Sequence, residues 1–260
     1  MRNKSSFRFV VIFTLIAMLA AFPFSAGANH SWGDYHWART SNPFTLKVGD
    51  NVNSTWDPYL DEAISDWSAS SVLNLTEVAG GTRPKNCRPT SGQIEACNAR
   101  YGNNGWLGIA QIWVNGSHIT QAITKVNDTY FDTPQYNTPA WRRLVMCQEI
   151  AHDFGLDHQD ENFSNPNLGT CMDYTSDPDG PPSNEHPNSH DYAQLQTIYS
   201  HLDSTSTIGS APPGFANADV HAVENWGTKV SDEANERSAL YVRDFGNGYK
   251  IFTFVIWVLE

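Results

Sequence analysis

Hydrophobic and polar positions along the chain switch between a period of two and a helical period, and each switch predicts an element. Phe44 to Val48 alternates and reads as a strand. Asp57-Pro58 then opens a helix, with proline in the first turn where its missing N–H costs nothing. Trp56, Leu60, Ala63, Ile64 and Trp67 recur along one side of it. Val72 to Val78 alternates again. Gly80 to Gly105 is rich in Gly, Pro, Asn and Ser and reads as one long loop. Trp106 to Val114 and Ile119 to Val126 are β-prone, and Asn115-Gly116-Ser117-His118 between them favours a hairpin-type connection.

Pro139 to Phe154 carries the strongest helical pattern, with Thr138 placed to cap it and Pro139 in its first turn. Met146, Ile150 and Phe154 share one face, and Gln148 and His152 lie on the opposite one, so one side suits a core and the other a cleft. Gly155 ends the helix, because glycine takes the left-handed conformation readily. A turn-rich stretch from Gln159 to Pro187 contains Gly169-Thr170-Cys171-Met172-Asp173-Tyr174. A last amphipathic helix begins near Ser189, with Tyr192, Leu195, Ile198, Tyr199 and Leu202 on its apolar side. Residues 204–218 read as a linker. In 219–260 two β-prone runs flank Gly246-Asn247-Gly248, which predicts a hairpin extension with a core or interface role for Tyr249, Phe252, Phe254 and Trp257. The fold class is α+β.

The chain's beginning changes where this fold would work. Arg2, Lys4 and Arg8 surround the start of an apolar run from Phe9 to Phe22, and Ala26-Gly27-Ala28 offers a small-residue cleavage site. Residues 1–28 therefore read as a signal peptide of a secreted, extracellular protein, with a retained anchor as the alternative. Removing those three bases takes the formal charge from −12 to −15. Such acidity excludes nucleic acid as a partner through phosphate contacts, and no later segment is long enough to span a membrane. Four cysteines in an exported chain predict two disulfides among three possible connectivities. The turn-rich Arg88 to Gly92 favours a local Cys87–Cys97 loop, leaving Cys147 with Cys171; two free, buried thiols are the alternative.

The candidate chemistry lies in Gln148-Glu149-Ile150-Ala151-His152-Asp153-Phe154-Gly155-Leu156-Asp157-His158. Side chains at i and i+4 of a helix point the same way, and zinc takes neutral imidazole nitrogens at about 2.0–2.1 Å. Glu149 sits beside that face, where it would take a proton from an activated water and pass it to a leaving amine. His30, His36, His118, His186, His190, His201 and His221 show no ligand spacing and read as surface or packing residues.

This stretch, followed by Met172 in Cys-Met-Asp-Tyr, resembles the metzincin superfamily of zinc endopeptidases, whose pattern is His-Glu-x-x-His-x-x-Gly-x-x-His with a Met-turn downstream. The resemblance covers roughly residues 32–203, and by size and element order it looks most like a matrixin-type secreted domain. It implies a metzincin-like domain over 29–203, with a twisted mixed sheet packed on a zinc-site helix, a Met-turn and a C-terminal helix. It implies His152 and His158 as zinc ligands, Glu149 as general base and Met172 as a packing residue under the metal. Tyr174 is placed like the tyrosine that some metzincins bring to the oxyanion. Trp106 to Val114 would be the edge strand along which a protein or peptide substrate adds.

Three departures qualify this. Gln148 stands where the first ligand histidine belongs, and an amide oxygen holds zinc more weakly than imidazole. The interval from His158 to Met172 is long, and no pro-domain with a latency cysteine follows the signal. Asp157, Asp160, Glu161, Asp177 and Asp179 would suit calcium, which similar enzymes often use. The expected function is a secreted zinc-dependent endopeptidase. The alternative is a secreted pseudo-protease that binds extended peptides or a partner protein without cleavage. A further reading makes the C-terminal hairpin an adhesion or oligomer module. The sequence is silent on oligomeric state.

Overall fold

A computed structural model of the chain describes residues 30–209, 220–230 and 238–258. The expected signal peptide and most of the expected linker lie outside the described residues. The alternating segments assemble into one sheet. Its strands are β1 (His36–Trp37), β2 (Phe44–Asn51), β3 (Leu73–Ala79), β4 (Ile94–Ala99), β5 (Trp106–Asn115), β6 (His118–Asn127), β7 (Thr228–Lys229), β8 (Ser238–Gly246) and β9 (Tyr249–Trp257). Their order is β3-β2-β4-β6-β5-β9-β8-β7, with β1 on a second stretch of β6. Pairings from β3 through β6 are parallel, and those from β6 through β7 are antiparallel. The helices are α1 (Asp57–Trp67), a short α2 (Asp128–Phe131), α3 (Pro139–His152) and α4 (Ser189–Ile198). The described chain is thus a mixed α+β fold.

Local chemistry explains most of these elements. Parallel β2 and β3 need a crossover, and α1 supplies it, burying Leu60, Ala63 and Trp67. Thr138 Oγ1 accepts from the Trp141 N–H at 3.3 Å, and Asn188 and Asp191 cap the start of α4 reciprocally. Gly116, at φ +62°, opens the two-residue turn between β5 and β6, and Gly246-Asn247-Gly248, all at positive φ, turns β8 into β9. Both expected disulfides are present, Cys87–Cys97 and Cys147–Cys171.

The sheet separates two apolar clusters. Leu107, Ala110, Ile112, Phe252, Phe254 and Ile256 face the helices, where Trp67, Leu144, Ile150 and Phe154 are also buried. Trp106, Ile109, Trp113, Ile251 and Val255 face the other way, against Val220 and Trp226. Burying an aromatic or large aliphatic side chain of this kind contributes roughly 1.5–3 kcal/mol. Trp67 also ties α1 to α3 by donating its indole N–H to the Cys147 carbonyl at 3.1 Å.

Two expectations are corrected here. Gly80 to Gly105 is not one loop: Ile94–Ala99 forms β4, parallel to both β2 and β6 in the middle of the sheet. Its sequence, Ile-Glu-Ala-Cys-Asn-Ala, has weak β propensity, and the two flanking strands impose the conformation. Nor is β5 an edge, because β9 pairs with it antiparallel from Trp106↔Trp257 to Asn115↔Tyr249. Among the described residues, no helix is long and apolar enough to cross a membrane.

Candidate metal centre

The centre is built on the last turn of α3 and the chain that follows it. Gly155, at φ +106°, lets the backbone reverse after His152, and a Cβ there would meet the Tyr35 carbonyl oxygen at 2.7 Å. Beyond the reversal His158 returns to His152. The two rings lie 4.6 Å apart edge to face, with their Nε2 atoms 3.0 Å apart. The Tyr174 hydroxyl reaches His158 Nε2 at 2.8 Å.

The outer nitrogens fix the tautomers. His152 Nδ1 lies 2.8 Å from the Leu156 carbonyl, which only accepts, so Nδ1 carries the proton. His158 Nδ1 lies 3.0 Å from Glu161 Oε1. Burial alone would raise the Glu161 carboxyl, but the hydrogen bond and charge of His158 outweigh it and hold it below its ordinary value. A carboxylate accepts, so His158 Nδ1 also carries its proton. In the neutral form of either ring Nε2 is then a lone pair. Burial, with the neighbouring His158 charge, pushes His152 well below the ordinary imidazole range, which keeps it neutral. His152 Nε2 is thus a lone pair 3.0 Å from His158 Nε2, which also meets the Tyr174 hydroxyl.

The other expected site residues sit beside this pair. Gln148, one turn earlier on α3, donates its amide N–H to the Cys171 carbonyl at 2.8 Å. Its Oε1 is buried without a partner among the described residues. Met172, next to Cys171, is fully buried. Glu149 lies against β5, where a Cβ on Gly108 would be 2.8 Å from its Oε1 and 2.5 Å from Val145 Cγ1. Its Oε2 is buried without a partner among the described residues. Burial first, then the charge of Asp153, pushes the Glu149 carboxyl well above its ordinary range. The structure therefore brings His152, His158 and Tyr174 into contact and places Gln148 and Glu149 on the adjoining turn.

Two contributors were read from the sequence for other roles. Glu161, read for calcium, is an acid three residues after His158 and meets its Nδ1. Phe254 of β9, read as a core or interface residue, stacks its ring on His152 at 4.1 Å and 11°, and it is 6.1 Å from the His158 ring. Asp157 and Asp160, read for calcium, serve the loop: Asp157 accepts from the His158 N–H, and Asp160 accepts from Asn162 and Asn165.

Replacing Gly155 by alanine is expected to destabilise the chain by about 1–3 kcal/mol and to shift His158 away from His152. Gly102 provides the control, since its φ is +105° but nothing lies within 4 Å of its added Cβ. Both substitutions share the positive-φ strain, and Gly155→Ala adds the clash at Tyr35 beside ordinary contacts with Ile198; equal losses in urea melts would remove that clash as the cause.

No protein-family model and no curated protein matches the chain. Among solved structures, it is similar to high choriolytic enzyme 1, a hatching enzyme zinc-protease from the medaka fish Oryzias latipes. The TM-score is 0.36 and the identity 9%, over 66% of this chain and 99% of that one.

Proposed function

We propose that the chain is a secreted zinc-dependent endopeptidase of the metzincin kind, with His152 and His158 holding the metal. The observation that carries this reading is the pair of imidazoles whose Nδ1 atoms are both engaged outward, turning their Nε2 atoms toward each other at 3.0 Å. The donors suit zinc: two imidazole Nε2 atoms, with the amide oxygen of Gln148, which has no partner among the described residues, as the third candidate. When bound, zinc supplies a Lewis acid toward a peptide carbonyl and a water.

The chain's own groups would do the rest. Glu149 takes the proton of the attacking water and passes it to the leaving amine. The Tyr174 hydroxyl donates to the oxygen on which charge develops. Glu161 and the Leu156 carbonyl hold the two rings in orientation, and Met172 packs in the floor as the Met-turn residue. The two disulfides accord with an oxidising, extracellular setting. Size and element order support the matrixin-type subdivision. Calcium has no support here: Asp157, Asp160 and Glu161 are engaged locally.

A second reading, a secreted binder that does not cut, is favoured by one observation. The face of β5 along which an extended peptide would add is taken by β9, and Phe254 covers His152.

Zinc content and peptide hydrolysis of the wild type and Gln148→His test the proposal. Supplying a third imidazole is expected to tighten zinc by at least about 10–100-fold, the scale on which even outer partners of a metal act. Wild type should already hold zinc and cut. If wild type has neither and Gln148→His gains both, the enzyme reading is lost.

A further inference from the structure

A second cluster of imidazoles lies where β1, the start of β6 and the end of α4 meet. It uses none of the residues of the α3 centre. His36 belongs to β1, His118 opens β6, and His201 and Asp203 follow α4. Asp203 Oδ1 lies 3.4 Å from His36 Nε2, 3.3 Å from His118 Nε2 and 3.7 Å from His201 Nε2. His36 Nε2 and His201 Nε2 are 3.2 Å apart.

The surroundings aim these atoms inward. His36 Nδ1 lies 2.7 Å from the Asp34 carbonyl, so that nitrogen carries the proton of the neutral ring and Nε2 is left as a lone pair. The other oxygen of Asp203 is occupied: Arg39 gives it a guanidinium N–H at 2.9 Å and its backbone N–H at 3.1 Å. The carboxylate is thereby fixed with Oδ1 toward the imidazoles, the outer-partner arrangement that orients metal ligands. Zinc bonds of about 2.0–2.1 Å place tetrahedral ligand atoms about 3.3 Å apart. The separations of 3.2, 3.4 and 3.7 Å among His36, His201 and Asp203 bracket that figure. A cavity of about 360 Å³ lined by His36, His201, Asp34, Ser117, Gln194 and Thr197 adjoins the cluster and gives a small ligand or water access to it.

We propose that His36, His201 and Asp203, with His118 beside them, bind a second divalent cation of the zinc class. Imidazole nitrogens with a single carboxylate suit zinc, copper or nickel and disfavour calcium and magnesium, which take oxygen. The competing account is a metal-free network in which one or more rings are imidazolium and pair with Asp203.

The test counts metal, not turnover, and so stands apart from the peptidase reading. Untagged secreted chain is stripped with a chelator, titrated with zinc alone against a competing chelator, and assayed for zinc per chain after gel filtration. His201→Ala is the main variant, because its side chain is 54% exposed and its removal takes nothing from the core. His118→Ala is the second, and His158→Ala reports on the α3 centre. The wild type is expected to hold two ions. His201→Ala should lose one, its affinity there falling at least about tenfold. His158→Ala should keep the ion that His201→Ala loses. Cobalt-loaded His158→Ala should show visible bands that His158→Ala/His201→Ala lacks. If the wild type holds a single ion, its loss in His201→Ala supports the site. The proposal is overturned if His201→Ala and His118→Ala both keep wild-type zinc count and affinity, or if His158→Ala, folded by its melting curve, holds none.

Discussion

Replacing Glu149 by methionine is expected to lower kcat for peptide hydrolysis by about a hundred- to ten-thousandfold, the range for removing a positioned general base. Zinc content should not change, because neither His152 nor His158 hydrogen-bonds Glu149 in the structure. The same substitution should make the chain more stable. Glu149 is buried, its Oε2 has no partner among the described residues, and burial with the Asp153 charge holds its carboxyl well above the ordinary range. Leaving a buried polar group unsatisfied costs about 1–3 kcal/mol, and an unbranched apolar side chain of similar length removes that cost without opening a cavity. A purely structural Glu149 predicts the opposite sign, a loss of stability. Urea melts and steady-state kinetics on one preparation separate the cases. Unchanged kcat removes Glu149 as the base. A wild type that binds peptide but never cuts it moves the reading to the binder.

The contrast between that site and the rest of the molecule shows what the chain's local pattern could carry. Thr138, Pro139 and Gly155 mark both ends of α3 through local backbone chemistry, and the helix runs Pro139–His152 with the cap bond in place. His152 and His158 meet because only five residues, one of them a positive-φ glycine, separate them. By contrast, β4 is a strand only because β2 and β6 lie on either side of it, and Glu95, Cys97 and Asn98 gave no alternation to read. The His36, His201 and Asp203 cluster joins residues 165 positions apart, so no spacing within a helix or loop announces it. The β5–β9 pairing is of the same kind. Each strand was legible, but which edge the C-terminal hairpin would take depends on exposed backbone groups that no local pattern encodes.

That pairing sets the last and largest stability effect. Replacing Phe254 by alanine is expected to destabilise the chain by about 3–5 kcal/mol, as for a fully buried aromatic in a packed core. Alternation along β9 sends Phe252, Phe254 and Ile256 to the helical side, and Phe254 arrives with its ring stacked on His152 and its edge near Trp32, 5.6 Å between centroids. The same truncation takes away the ring that covers His152. Zinc should then exchange faster with a competing chelator, and extended peptides should gain access to the centre. Phe254→Leu serves as the control, since it keeps most of the volume while giving up the stacked face. If hydrolysis rises in Phe254→Ala and vanishes again in Phe254→Ala/Glu149→Met, the hairpin holds a working peptidase closed. If peptide binding rises and cleavage does not, Gln148 has left a site that recognises without cutting. If zinc exchange and peptide binding both stay at wild-type values while stability falls, Phe254 is a core residue only, and access to His152 runs by another side.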